Sequence, residues 1–110
     1  MRRIILVILV TIAMTLAASP LPAADAAKGK DIYTKKCVSC HAAGGEGKES
    51  VAKMLKAEMR PLGSKEVMAR SDADFKKVVL DGNGKMKAVK DIDAAGLDNL
   101  VAYLRTLAKK

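Results

Sequence analysis

The sequence contains no tryptophan, one histidine, two cysteines and only three aromatic residues, Tyr33, Phe75 and Tyr103. A single histidine rules out bis-histidine ligation within one chain. With two cysteines it also falls one ligand short of a closed structural zinc site. So few aromatics leave little to stack on bases. The 20 basic residues are interspersed with 12 acidic ones, so the net charge of +8 does not point to nucleic acid. Sustained strand alternation is missing too, and a redox dithiol of the thioredoxin type therefore lacks its βαβ setting. Internal repeats are absent. What remains is an all-α chain of 110 residues, enough for one small domain.

Residues 1–26 differ in character from the rest. Arg2 and Arg3 give a basic start, and Ile4 to Ala18 runs without a charge. Pro20 and Pro22 then break any helix, and Ala24-Asp25-Ala26 sets small residues at the two positions a signal peptidase inspects. This pattern predicts a secretory leader cut after Ala26, with residues 27–110 as a single exported domain. An uncleaved anchor is the alternative, but the apolar run is short against the roughly 20 residues of a bilayer span. Either way the domain is expected outside the cytoplasmic membrane, in the periplasm.

The chemistry concentrates in Cys37-Val38-Ser39-Cys40-His41, whose order and spacing match the attachment sequence for a c-type haem. Two thiols three residues apart on a helical turn reach the two vinyl groups of neighbouring pyrroles. The residue after the second thiol is carried beneath the ring, where the His41 imidazole binds iron. One such motif implies one haem, attached through Cys37 and Cys40. A small domain buries little apolar surface of its own. A porphyrin serving as core explains the shortage of aromatics.

Helical spacing and caps give the outline of the remaining chain. Lys28 to Lys36 reads as a helix with Ile32 and Tyr33 as apolar contacts and Gly29 one turn before Tyr33. Ala42 to Glu49 is a glycine-rich turn; it lacks the strand and the Gly-Lys-Ser/Thr ending of a phosphate cradle. Val51, Met54, Leu55 and Met59 predict a helix over Ser50 to Met59, stopped by Pro61. Leu62 to Arg70 reads as loop with at most one helical turn. Ser71 caps a helix that sends Phe75, Val78 and Val79 to the core and ends at Gly82. After a loop over Asp81 to Lys90, Asp93 caps a last helix with Leu97, Leu100, Val101, Leu104 and Leu107 as its apolar stripe.

A second iron ligand must come from methionine or lysine, unless that position is open. Met54, Met59 and Met68 lie where methionine ordinarily fills a core. Met86 lies in a glycine loop between Lys85 and Lys87, with no evident packing role, which favours it as the soft thioether ligand. A core methionine with an open or lysine-bound iron is the competing reading.

Taken together, residues 27–110 resemble the small class I c-type cytochromes. The resemblance rests on Cys37-Val38-Ser39-Cys40-His41, on Gly84-Lys85-Met86, and on the closing Leu100-Val101-Ala102-Tyr103-Leu104. It implies three to four helices wrapped around one haem with His41 and Met86 as iron ligands. It also implies that Gly29 and Tyr33 cross the last helix at Leu100 and Tyr103. The departures are Lys87 where the family has proline after the ligand methionine, Ala42 where it has glycine, and no proline before Pro61 to supply a carbonyl to His41. The family's tryptophan for the haem propionates is also missing, which leaves Arg60 and Arg70 as candidates.

The expected function is single-electron transfer, not enzymatic turnover, by a monomer shuttling between redox proteins. Lys35, Lys36, Lys85 and Lys87 would steer it onto acidic docking surfaces. Were Met86 not a ligand, the alternative is an open-site haem protein, a peroxidase or gas sensor, although no distal histidine is present to serve it. Were the leader retained, it would be a membrane-anchored electron-transfer subunit of a larger complex.

Overall fold

Two helices from opposite ends of the chain cross at a glycine, and the other elements are laid around that crossing. The computed structural model describes residues 23–109. They form α1 (Ala26–Lys36), α2 (Val38–His41), α3 (Glu49–Leu55), α4 (Lys65–Met68), α5 (Asp72–Asp81) and α6 (Ala94–Thr106). Four of these are the expected helices and two are single turns, one carrying the cysteine motif and one within the stretch from Leu62 to Arg70. The only β-type pairing among the described residues is an isolated bridge between Asn83 and Met86. The predicted leader lies almost wholly outside them. Among the described residues no helix is long and apolar enough to cross a membrane.

Asp25 starts α1: its carboxylate accepts from the backbone N–H groups of Ala27 and Lys28. The expected cut after Ala26 thus falls inside the first turn. α6 starts at Asp93, whose Oδ1 accepts from Gly96 N, and buries Leu97, Leu100, Val101 and Leu104. α1 buries Gly29 and Tyr33 against it. A Cβ placed on Gly29 would stand 1.9 Å from the carbonyl oxygen of Asn99, so only glycine lets the backbones meet. The rings of Tyr33 and Tyr103 then lie 5.2 Å apart, tilted by 56°. α5 adds Phe75 and Val79 to the same core. Val78 is half-buried at its rim, since positions 75 and 79, one helical turn apart, already take the inward face. Each large apolar side chain in this cluster contributes about 1.5–3 kcal/mol by leaving water.

The middle of the chain departs from expectation. α3 ends at Leu55, not Met59, because Lys56 turns left-handed at φ 51° and closes the helix without a glycine. Met54, expected in the core, is 74% exposed, whereas Met68 packs against the core. Backbone bonds stitch down the start of the segment after Pro61. Leu62 N donates to Gly45 O, Lys109 N donates to Gly63 O, and a Cβ on Gly63 would meet Leu107 O at 1.9 Å. From α6, the Arg105 guanidinium donates to the carbonyls of Met68 and Arg70 and to Asp72 Oδ1. It also stacks over Phe75, 4.5 Å from the ring centre. One side chain thereby fastens the α4–α5 connection to the last helix.

Candidate functional site

The Cys-x-x-Cys-His segment forms a single helical turn directly beyond α1. Cys37 ends one helix and begins the next. Its N–H donates to Tyr33 O at 2.8 Å, and its carbonyl accepts from Cys40 N at 3.2 Å and His41 N at 2.9 Å. Both thiols are free. Cys37 is buried, and that burial pushes its thiol up to about 11, against the opposing pull of Lys36, so it stays protonated at neutral pH. Burial likewise lowers the His41 pKa and favours the neutral imidazole, the form that ligates metal.

Glycine-rich backbone closes over this turn. Gly47 N donates to His41 O and Lys48 N to Cys40 O, satisfying carbonyls that a helix end leaves bare. Gly45 and Gly47 take φ of 77° and 82°, which makes this stretch the predicted turn. Ala42 sits at φ 63° and ψ 169°, a region ordinarily reserved for glycine and costing other residues about 1–3 kcal/mol. The Tyr33 hydroxyl donates to its carbonyl, as does Gly45 N, and together they hold it there. Burial raises Tyr33 to about 12, so it remains a donor throughout the physiological range.

His41 Nδ1 is buried without a hydrogen-bond partner. Among the described residues no other acceptor replaces the family's proline carbonyl. Among the described residues no three His, Cys, Asp or Glu side chains gather as a site for a bare metal ion. Two free thiols on one turn beside a half-buried imidazole whose neutral form is favoured fit haem c, which takes thioether bonds at its edge and nitrogen at its iron.

Met86 stands in a separate segment. α5 ends at Gly82, and the chain turns back through Asn83-Gly84-Lys85-Met86, where Asn83 N donates to Met86 O at 3.0 Å and Met86 N to Asn83 O at 2.9 Å. Val89 N donates to Val79 O at 2.7 Å, which fastens the far side of the loop to α5. Met86 is half-buried. Its backbone is therefore closed into a tight turn despite Lys87 in the usual proline position. No hydrogen bond joins this turn to the cysteine motif among the described residues. Lys35, Lys36, Lys85 and Lys87 are exposed, and Lys36 Nζ reaches across to Lys90 O at 3.1 Å. Arg60 and Arg70 are exposed as well, with the Arg70 carbonyl engaged by Arg105. Sequence reasoning missed the Tyr33 hydroxyl bond and the Arg105 fastening, for which the sequence carries no local signal.

A helical domain whose first helix runs into a Cys-x-x-Cys-His turn is the architecture of a c-type haem carrier. Comparison with known proteins agrees. The family model described as cytochrome C oxidase, cbb3-type, subunit III matches residues 24–104. Cytochrome c-554(547) of Halothiobacillus neapolitanus is 36% identical over 92 residues, covering 77% of this chain and 99% of that protein. The solved structure of the KustC0563 c-type cytochrome aligns with a TM-score of 0.61 at 24% identity, covering 74% of this chain and 98% of that one, a likeness of fold. The chain belongs to the c-type cytochrome family. It is an electron-transfer haem protein carrying haem c, with redox proteins as its partners.

Proposed function

We propose that this protein is an exported, periplasmic single-electron carrier, with one haem c joined through Cys37 and Cys40 and its iron held between His41 and Met86. The supporting observation is the single turn that presents two free thiols and a half-buried imidazole whose neutral form burial favours. Haem supplies a metal that alternates between iron(III) and iron(II). With His41 and Met86 both bound to it, the iron would have no vacant position for a substrate, so these residues would hold the geometry constant and perform no turnover. The tight turn at Asn83–Met86 supports Met86 as the second ligand, since it restrains that side chain's backbone where Lys87 cannot. Thioether ligation raises the reduction potential.

An optical spectrum of the purified holoprotein tests the ligand pair. The oxidised form is expected to show the weak far-red band of methionine–iron bonding and to take up carbon monoxide slowly on reduction. Met86→Ala should abolish the band and open the iron to rapid carbon monoxide binding. A wild-type spectrum that is already high-spin would replace the carrier reading with that of an open-site haem protein.

The exposed lysines around the motif and the turn give the carrier its docking chemistry. Lys35, Lys36, Lys85 and Lys87 present positive charge to acidic surfaces and raise the encounter rate when salt is low. Reversing Lys85 and Lys87 to glutamate should slow reduction by an acidic redox partner about tenfold or more at low ionic strength, the lower end of what steering supplies. The difference should shrink as salt is added. Equal rates for the two proteins at low salt would remove the lysines from the docking surface.

A further inference from the structure

We infer that the leader is removed ahead of Asp25, at the Ala23–Ala24 bond, so that the mature protein keeps its own helix cap. The inference rests on the export reading above and concerns where the cut falls. Asp25 is bound into the fold on three sides. Its carboxylate accepts from Ala27 N at 2.9 Å and Lys28 N at 3.2 Å, its carbonyl accepts from Gly29 N at 3.0 Å, and its own N–H donates to Asn99 Oδ1 at 2.7 Å. The last bond ties the start of α1 to α6 immediately beside the Gly29–Asn99 crossing. A second and independent observation is that the family match begins at residue 24, so the relatives' shared domain already includes Ala24, Asp25 and Ala26.

A cut after Ala26, which the small-residue pattern suggests, would remove all of these bonds. It would also leave the new ammonium of Ala27 on the first residue inside the helix, among unpaired N–H groups and at the positive end of the macrodipole. A cut at Ala23–Ala24 keeps the small Ala23 next to the cut, with Leu21 in place of an alanine at the second position the peptidase inspects, and places the ammonium beyond the cap. In that hydrolysis water gives its hydroxyl to the Ala23 carbonyl carbon and its proton to the Ala24 nitrogen, and no other bond changes.

The full chain, exported by a bacterium that attaches haem c and recovered as holoprotein, should begin at Ala24 by N-terminal sequencing and intact mass. A chain beginning at Ala27 overturns the inference while leaving the export reading intact. A chain beginning at Met1 overturns cleavage altogether and supports the anchored alternative. A second measurement tests the cap directly. Asp25→Ala should lower the thermal midpoint by about 4–8 °C, the shift expected from losing one N-cap in a domain of this size, whereas Asp25→Asn, an equally good cap, should restore it. Equal midpoints for Asp25→Ala and wild type would remove the reason for retaining the residue.

Discussion

Replacing Gly29 with alanine is expected to cost at least about 3 kcal/mol and to lower the thermal midpoint by more than about 10 °C, enough to sharply reduce the yield of mature haem protein. In an isolated helix this change gains up to about 1 kcal/mol, because alanine is the better helix former. Here the added methyl carbon would stand 1.9 Å from Asn99 O, 2.5 Å from Asn99 C and 2.9 Å from Tyr103 Cβ. The two Asn99 atoms are backbone of α6, so no rotamer change relieves the clash and the helices must separate. Separation loosens Tyr33 and Leu100, the two most deeply buried large side chains, together with the bond from Asp25 N to Asn99. A domain whose whole stability is about 5–15 kcal/mol does not absorb that easily. Thermal melts followed by helical circular dichroism give the answer. A loss under about 1 kcal/mol would mean that the crossing can slide and that the glycine is not required.

The features legible in the sequence were those written in local chemistry. Cys37, Cys40 and His41 stand out through spacing and fold onto one turn, Asp93 and Ser71 through their place as caps, and α6 through a stripe that every buried residue of the helix obeys. Gly29 was legible only beside Tyr33, Leu100 and Tyr103, because a glycine in a helix says nothing about what it touches. Where the sequence misled, a single residue took a conformation that its type seldom adopts. Lys56 ends α3 in the left-handed region although the apolar period runs on to Met59. Ala42 occupies a glycine's conformation without being one, held by the Tyr33 hydroxyl from nine residues away. Arg105 was illegible for a different reason: its partners lie 33 to 37 residues earlier, and of its four bonds two end on backbone carbonyls and two on the Asp72 carboxylate, none within a nearby motif. The first turn of α1 shows the same limit. Small residues around Asp25 read as a peptidase site, while the fold uses Asp25 as a cap.

Gly82→Ala is the second large effect, and it falls on the proposed iron ligand where Gly29→Ala falls on the fold. Gly82 ends α5 at φ 78° and ψ 176°, a conformation costing a residue with a side chain about 1–3 kcal/mol by itself. Its Cβ would meet Met86 O at 2.6 Å, Ala88 N at 2.9 Å and Lys87 C at 3.2 Å, all of them backbone. The Met86 carbonyl is the acceptor for Asn83 N, so moving it aside opens the turn that holds the proposed ligand. The cysteine motif and the α1–α6 crossing lie in other segments and make no hydrogen bond to this turn. The variant is therefore expected to fold and to keep haem attached through Cys37 and Cys40, but to lose the far-red band and bind carbon monoxide rapidly, as Met86→Ala does. Its reduction potential should fall with the loss of the thioether. A variant that melts earlier but retains the band would make Gly82 a stability residue only. If Met86→Ala loses the band while Gly82→Ala keeps it, the Asn83–Met86 turn is not what holds the ligand, and the restraint must come from the Val79–Val89 side of the loop.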